Sequence, residues 1–377
     1  MADRDLDLIL FGATSFVGRI TSRHLAARAD PALRWAIAGR DPTKLAEVAV
    51  ATGADVEQIV ADAEDPAAVR SLASRARVVV STVGPYVRYG SPLVAAVAAS
   101  GTQYCDLTGE PQWVRTMIDA HHEEAVGSGA RVVHACGFDS IPSDLGVLFT
   151  QRQAIARFGE PCTSIAMRVT TLKGGASGGT IASMMDVVTA ARSDPAAREV
   201  LRNPYALAPA GQRSGPPQPN VLGPTLDRAG GGWVGPFVMA VPNTRIVHRT
   251  HALLGRPWGD GFEYDEAMAL GDGPGGAVKA TALTGGIAYF AALAAAGPPG
   301  RSCAGSSPNR ARDRHPSNRR PGASTSTSSG PRRRAGASTL ASRATAIRGT
   351  DRPRRCSPSR HWHSSTRRRP TPSRPVS

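Results

Sequence analysis

Cysteine, aromatic residues and long apolar runs are all scarce in this chain of 377 residues. The five cysteines form no CxxC pair and no metal-ligand spacing, so we predict no metal site and free thiols in a reducing cytoplasm. The most apolar late stretch, residues 286–297, is well short of the ~20 residues of a membrane-spanning helix, and we expect a buried helix there. The opening residues, MADRDLD, lack the basic start and apolar core of a secretory signal.

Acidic residues are nearly missing from the last fifth of the chain, where the positive charge is concentrated. Residues 301–377 contain 19 Arg, 2 Asp and neither Lys nor Glu, a net charge of +17, whereas residues 1–300 carry a net charge of −2. The formal charge of +15 is therefore a property of the tail. We expect no specific nucleic-acid partner for the body of the protein.

The basic tail, residues 298–377, has too few aliphatic residues to bury a core and is predicted to be disordered. One interpretation is a natural tail that binds nucleic acid or anionic surfaces. The other is a shifted reading frame, beginning within residues 296–303. Reading each codon one base earlier gives residues 324–329 (STSTSS) a strand-like alternation, and residues 347–351 can decode as Asp-Pro-Gly-Tyr-Gly. This hidden pattern favours the frame shift.

An apolar run followed by a glycine-containing loop predicts a nucleotide-binding turn. Residues 6–11 (LDLILF) are typical of a buried parallel strand, and a helix is predicted over residues 17–29. Glycine in the loop allows a tight turn and close helix packing, while free amides at the helix N-terminus favour a pyrophosphate. The loop residues predicted to bind the cofactor are Gly12, Thr14, Ser15, Phe16, Val17 and Gly18.

The next two strands supply candidate contacts to the adenosine half of a dinucleotide. A strand over residues 33–38 ends at Arg40, whose guanidinium suits a 2′-phosphate, with Lys44 as a second cation. This favours NADP(H) over NAD(H), although Arg40 can also be a solvated residue at a helix start. A strand over residues 57–61 places Asp62 at the carboxyl edge of the sheet, where it can reach the adenine amino group.

A fourth strand, residues 78–80, leads to a second glycine-containing edge. Val83, Gly84 and Pro85 are predicted to border the nicotinamide half of the cofactor. Tyr86 follows, with Arg88 and Tyr89 close behind it. A phenol or guanidinium there can polarise a carbonyl, and packing is an equally good explanation of the aromatic residues.

Two further strands are predicted over residues 102–107 and 131–135. The His-His-Glu-Glu run at residues 121–124 is assigned to a solvated helix face. After the last strand, Ser140 as an N-cap, Pro142 in the first turn and Asp144 near the dipole predict a helix start. Capping alone explains these residues, and a role at the substrate edge explains them equally well.

These patterns predict an α/β protein of two domains and a tail. Residues 1–150 form a Rossmann-type, doubly wound parallel sheet, and residues 151–297 form an α+β substrate domain that is incomplete if the reading frame shifts. The second domain is predicted to contain strands at residues 164–172, 237–242, 244–251 and 262–268, a helix at residues 180–191 and a loop at residues 203–232.

Several motifs together resemble the saccharopine-dehydrogenase-like oxidoreductases, in particular the trans-acting enoyl reductases. The likeness covers about residues 5–295, and the shifted decoding restores the family's Asp-Pro-Gly-Tyr string. The motifs are GATSFVG (12–18), STVGPYVRYG (81–90), YCDLTGE (104–110), CGFDSIPSDLG (136–146), SGGT (177–180) and NTRIVHRTHAL (243–253).

The resemblance implies NADPH-dependent reduction of an enoyl thioester on a carrier domain, in lipid or glycolipid synthesis by a polyketide synthase. Tyr86, Asp139 and Ser140 are the unranked candidates for the donor at the thioester oxygen. The resemblance also implies a peripheral contact with the plasma membrane. There are two alternatives. One is a saccharopine-type amino-acid dehydrogenase, and the other is a non-catalytic nucleotide-binding partner that is inactive because of the altered C-terminus.

Overall fold

The first sheet is parallel throughout, with strand order β3-β2-β1-β4-β5-β6. The computed structural model describes residues 4–53, 55–172, 178–227, 230–296 and 347–349. The first unit contains β1 (Leu6–Phe11), α1 (Phe16–Arg28), β2 (Trp35–Gly39), α2 (Pro42–Thr52), β3 (Glu57–Val60), α3 (Pro66–Arg75), β4 (Ala76–Ser81), α4 (Tyr86–Tyr89), α5 (Ser91–Ser100), β5 (Gln103–Asp106), α6 (Pro111–Ser128) and β6 (Val132–Val133). The doubly wound sheet is therefore confirmed.

Apolar residues on both faces of β1 explain why this sheet is covered on each side. Ile9 joins a core that includes residues of α3, α5 and α6, while Leu10 joins a separate core with Leu45 and Val48 of α2. All four residues are almost fully buried. This is the continuous apolar pattern of a parallel strand buried on both faces.

The edge strand β6 has two residues, whereas five were predicted. Val133 is the last paired residue, opposite Cys105. Beyond it the chain turns, because Asp106 captures the Ala135 amide with its carboxylate and the Cys136 amide with its backbone oxygen. Ala135 accordingly has a left-handed backbone with φ 59°.

The second sheet is mixed, in the order β11-β7-β10-β9-β8, with β7 and β10 parallel and the other pairs antiparallel. Its core contains Val147, Ile165, Val247, Phe262 and Tyr264. The elements are α7 (Ile141–Phe158), β7 (Ser164–Val169), α8 (Gly178–Ser193), α9 (Pro195–Arg202), β8 (Thr225–Leu226), β9 (Trp233–Pro236), α10 (Ala240–Leu253), β10 (Glu263–Gly271), α11 (Gly273–Ala296) and β11 (Ile347–Gly349). The domain division stays a prediction, and α7 runs across position 150.

The strand predicted over residues 244–251 was wrong, because these residues belong to the helix α10. The strand predicted just before it is also misplaced, since β9 ends at Pro236. Val247, His248 and His251 of α10 are buried at helical spacing against the second core. Tertiary packing has overridden the β-branched composition that favoured a strand.

The predicted burial of residues 286–297 was also wrong. Residues 286–296 continue α11, which is 24 residues long, and only 6% of its most apolar 18-residue stretch is buried. By length and composition α11 could cross a membrane. Val278, Tyr289 and Leu293 are among its exposed apolar side chains.

One prediction lies largely outside the described residues and another lies partly outside them. Most of the tail, residues 298–377, is the first; of the tail, the structure describes β11, which pairs with β7. The SGGT motif is the other, since its first residue is not described. Cys105, Cys136 and Cys162 are free thiols, as expected.

Candidate nucleotide-binding site

The turn after β1 requires glycine at both of its glycine positions. Gly12 has φ +87°, and a Cβ atom there would lie 2.8 Å from Oγ1 of Thr82 and from a methyl group of Val83. A Cβ atom on Gly18 would lie 2.2 Å from the Gly12 carbonyl oxygen. The chain therefore passes between β4 and the start of α1 with no space for a side chain at either position.

The N-terminus of α1 presents free hydrogen-bond donors. Ser15 caps the helix by accepting the Gly18 amide at 2.9 Å, and its own amide donates to the Gly12 carbonyl. The amides of Thr14, Phe16 and Val17 have no acceptor among the described residues. Unpaired amides at the positive end of a helix dipole can donate hydrogen bonds to a pyrophosphate. The turn therefore fits the diphosphate of a dinucleotide.

Arg40 and Lys44, the two cations predicted to bind a 2′-phosphate after β2, have different surroundings. Lys44 lies 3.2 Å from the Asp41 carboxylate, and the Asp41 side chain also caps α2 by accepting the Lys44 amide. These contacts lower the pKa of Asp41. Arg40 is exposed and forms no ion pair within the described residues. Arg40 is therefore the better placed of the two for a 2′-phosphate.

Asp62 is exposed just after β3, at the carboxyl edge of the sheet. Its Oδ1 accepts the Glu64 amide at 3.0 Å, which closes the turn into α3. The position agrees with the predicted edge, and the contact with adenine stays a prediction.

The edge after β4 is bonded to the glycine turn. The Thr82 hydroxyl donates to the Gly12 carbonyl at 2.9 Å and lies 3.1 Å from the Ser15 hydroxyl. Strand order reverses between β1 and β4, which is where doubly wound sheets bind their ligands. Val83, Gly84 and Pro85 continue from Thr82 along this crevice.

Tyr86 is enclosed behind that edge. It is 4% exposed and packs on Trp113 with ring centroids 5.4 Å apart. Its hydroxyl donates to the Ser81 carbonyl at 2.9 Å and accepts the Leu107 amide at 3.3 Å. Burial raises the pKa of this phenol well above its ordinary value. These contacts favour the packing alternative over polarisation of a substrate carbonyl.

Glu110 is a buried carboxylate that the sequence did not single out for a role. It is 1% exposed and accepts the amides of Tyr86 at 3.0 Å and Val87 at 2.8 Å. It also accepts the hydroxyl of Ser183 on α8 at 2.7 Å. Glu110 thus caps α4, whose own N-cap residue is Pro85 and has no side-chain acceptor.

Asp106 and His134 form a second polar pair that sequence reasoning missed. The Asp106 carboxylate lies 2.6 Å from Nδ1 of His134 and accepts the Tyr104 hydroxyl at 3.0 Å. It also accepts the amides of Thr108 and Ala135. Asp106 therefore fixes the ends of β5 and β6. The short YCDL motif contains the residue but gives no sign of its distant partner.

The loop before α7 carries the other two catalytic candidates. Ser140 occupies the N-cap position as predicted, but its side chain makes no capping hydrogen bond. It is 2% exposed and lines a cavity of about 360 Å³. Asp139 is exposed, and its backbone oxygen accepts Nδ2 of Asn243 at 2.8 Å. Ser140 therefore keeps a side-chain hydroxyl available at the cavity.

The cavity beside Ser140 has mostly apolar walls. They come from α6, β6 and α10, and include Val114, Met117, Val132 and Ile246. His121 and His122 reach its rim from α6, and His121 lies 3.5 Å from Glu124. No group of three or more potential metal ligands occurs in the described parts of the chain. Its polar lining residues include His134, Asp144 and Arg249 as well as Ser140. A pocket with mostly apolar walls and several polar groups suits a hydrocarbon-containing ligand that carries a polar group.

The first sheet coincides with a known family of nucleotide-binding domains. Residues 8–133 match the family described as the saccharopine dehydrogenase NADP-binding domain. A solved structure of saccharopine dehydrogenase from Saccharomyces cerevisiae matches 43% of this chain and 34% of its own chain, with 20% sequence identity and a TM-score of 0.37.

Longer matches occur among mycobacterial proteins named as trans-acting enoyl reductases. One from Mycobacterium tuberculosis H37Rv is 46% identical over 282 residues, covering 71% of this chain and 66% of the relative's length. Another, from Mycobacterium bovis, is 42% identical over 300 residues, covering 76% of this chain and 71% of the relative. A third, from Mycobacterium ulcerans, is 43% identical over 303 residues with the same coverage. The chain belongs to the trans-acting enoyl reductase family of oxidoreductases, and its first sheet is a saccharopine-dehydrogenase-type NADP(H)-binding domain.

Proposed function

We propose that this protein reduces the carbon–carbon double bond of an enoyl thioester with NADPH. The observation that carries the proposal is the α1 N-terminus, where three amides have no acceptor among the described residues, beside a turn closed by Gly12 and Gly18. Family membership supplies the reaction class.

In this proposal, the segments that follow β1, β2, β3 and β4 each bind a different part of NADPH. The amides of Thr14, Phe16 and Val17 hold the pyrophosphate. Arg40 holds the 2′-phosphate, and Asp62 contacts the adenine amino group. Residues 83–85 border the nicotinamide half. When bound, NADPH supplies a hydride from C4 of its nicotinamide to the β-carbon of the substrate, and the α-carbon takes up a proton from water.

Reduction also requires a hydrogen-bond donor where negative charge develops on the thioester oxygen. The Tyr86 hydroxyl is already bonded to Ser81, and Asp139 is an exposed acid without a described donor role. The Ser140 hydroxyl is buried at the apolar cavity and makes no capping bond. We therefore assign Ser140 as the donor and the cavity as the site of the acyl chain.

The proposed substrate is an acyl chain on the carrier domain of a separate enzyme such as a polyketide synthase, in lipid or glycolipid synthesis. The word trans-acting in the names of the relatives supports a separate carrier. We place the protein in the cytoplasm, with α11 as its contact to the plasma membrane; the exposed apolar surface of α11 supports this.

A titration followed by a turnover assay tests the proposal. NADPH fluorescence should change on addition of the full chain, and an enoyl thioester should then oxidise the bound NADPH. Turnover of saccharopine instead would favour an amino-acid dehydrogenase. Binding with neither turnover would favour the non-catalytic nucleotide-binding protein, and no binding of either nucleotide would contradict the proposal.

A further inference from the structure

Helix α8 of the second unit is attached to the nucleotide-binding sheet by two side chains. Ser183 donates its hydroxyl to Oε1 of Glu110 at 2.7 Å. Asp186 accepts two hydrogen bonds from the Arg88 guanidinium, at 2.9 Å from Nε and 2.5 Å from a terminal nitrogen. Ser183 and Asp186 are three residues apart and therefore lie on one side of α8.

Both attachments converge on the four-residue helix α4. Glu110 holds its first two amides, those of Tyr86 and Val87. Arg88 belongs to α4 itself. The position of α4 therefore depends on an acid from the first unit and on two polar side chains from α8.

Helix α4 in turn continues directly from the edge that follows β4. Thr82 of that edge bonds to Gly12 and lies beside Ser15 in the glycine turn. Hydrogen bonds thus anchor residues 82–87 at both ends, with Thr82 bonded to the glycine turn and Tyr86 and Val87 bonded through Glu110 to Ser183 of α8. Hydride transfer is sensitive to displacements of about 1 Å. The position of residues 82–85 should therefore affect the rate of hydride transfer more than the affinity for NADPH.

We propose that Ser183 and Asp186 are positioning residues, which hold α4 and residues 82–85 where they orient the nicotinamide ring. The inference rests on the proposed function. The Arg88 side chain is 56% exposed, so its ion pair contributes little to folding. Removing these contacts should therefore loosen the edge without unfolding the protein.

Hydrogen exchange of the full chain tests this without measuring activity. In the wild type, NADPH should slow exchange both in residues 12–19 and in residues 82–89. In S183A/D186N, protection should persist in residues 12–19, while residues 82–89 exchange about tenfold faster than in the wild-type complex. Thr189→Ala is the matched control, since Thr189 is exposed on α8 and its hydroxyl donates to the Met185 carbonyl of the same helix.

The charge-swapped pair R88D/D186R adds a rescue test. We expect D186N alone to lose part of the NADPH-dependent protection of residues 82–89. The swap keeps opposite charges at these two positions, so it should restore much of that protection. Single-turnover hydride transfer in S183A/D186N should fall about tenfold, with the NADPH dissociation constant changed less than about threefold.

The outcomes separate the two proposals. Wild-type-like protection of residues 82–89 in S183A/D186N would overturn the positioning role, as would failure of the swap to improve on D186N. Absence of NADPH protection in both segments of the wild type would overturn the proposed function itself. Loss confined to residues 82–89 supports the positioning role.

Discussion

The hydroxyl of Thr82 donates a hydrogen bond to the carbonyl oxygen of Gly12 at 2.9 Å, across the point where strand order reverses. The same carbonyl accepts the Ser15 amide at 2.9 Å. The turn is therefore held from both sides by contacts within the protein, and its shape does not depend on a ligand. Pre-organised donors of this kind lower the ordering cost of binding.

Replacing Gly12 by alanine tests that shape. We expect G12A to cost about 3 kcal/mol of unfolding free energy, since it combines left-handed strain with overlap against Thr82 and Val83. G53A is the matched control, because Gly53 has φ +66° but nothing within 4 Å of a Cβ atom, and should cost about 1 kcal/mol. Urea denaturation measures both values. NADPH titration should show binding lost in G12A and retained in G53A; equal effects would contradict the tight-turn argument.

Arg40 should determine the preference between the two nicotinamide nucleotides. We expect R40A to weaken NADPH binding about tenfold and leave NADH binding nearly unchanged, since only NADPH carries the 2′-phosphate. K44A should have a smaller effect because the Lys44 ammonium is paired with Asp41. Fluorescence titration of both nucleotides gives the ratio. An equal loss for NADPH and NADH in R40A would assign Arg40 to the solvated alternative.

The parts that sequence reasoning predicted well are those whose cause is local. The strand β1 has the predicted bounds, and the helix predicted over residues 17–29 is α1, displaced by one residue. The contact between Glu110 and Ser183 joins residues 73 positions apart, and no local pattern encodes it. The same is true of the Tyr86 hydroxyl, which accepts a hydrogen bond from the amide of Leu107, just after β5, while it donates to the carbonyl of Ser81 in β4.

Glu266 should give the protein a characteristic dependence of stability on pH. It is 2% exposed on β10, accepts hydrogen bonds from Tyr264 at 2.6 Å and Asn243 at 3.0 Å, and lies near Ser143 and Asp265. Burial raises its pKa from 4.5 to about 7. The folded state thus keeps a proton that the unfolded state releases near pH 4.5. The contribution of Glu266 to the free energy of unfolding therefore falls by about 3 kcal/mol as the pH rises from 4.5 to 7, and it is constant above pH 7.

Comparison of E266Q with the wild type isolates that contribution, because the other titrating groups are common to both proteins. Urea denaturation at pH 5 and pH 8 should show a smaller loss of stability with rising pH in E266Q. Glu123→Gln on the exposed surface of α6 is the control and should follow the wild type. Identical pH dependence in E266Q and wild type would mean that Glu266 ionises normally in the folded protein.

The reading frame beyond residue 296 can be checked directly. The matches to relatives cover 71–76% of this chain, which leaves about a quarter unmatched. We expect re-sequencing across the codons for residues 296–303 to find an inserted or deleted base, and the corrected frame to encode Asp-Pro-Gly-Tyr-Gly near residue 347. An unchanged sequence would favour the natural basic tail.

Helix α11 should mediate any contact with a lipid surface, because its apolar residues are exposed along most of its length. Tyr289 is 67% exposed and Leu293 53% exposed, and four residues separate them on one side of the helix. Each glutamate placed there opposes insertion into the interfacial region of a bilayer. We therefore expect Y289E/L293E to reduce co-sedimentation of the full chain with phosphatidylglycerol vesicles about tenfold. Val50→Glu is the matched control, since Val50 is 83% exposed on α2 of the first unit. Equal binding of both variants and the wild type would exclude α11 as the contact surface, whereas selective loss in Y289E/L293E would assign it to the membrane.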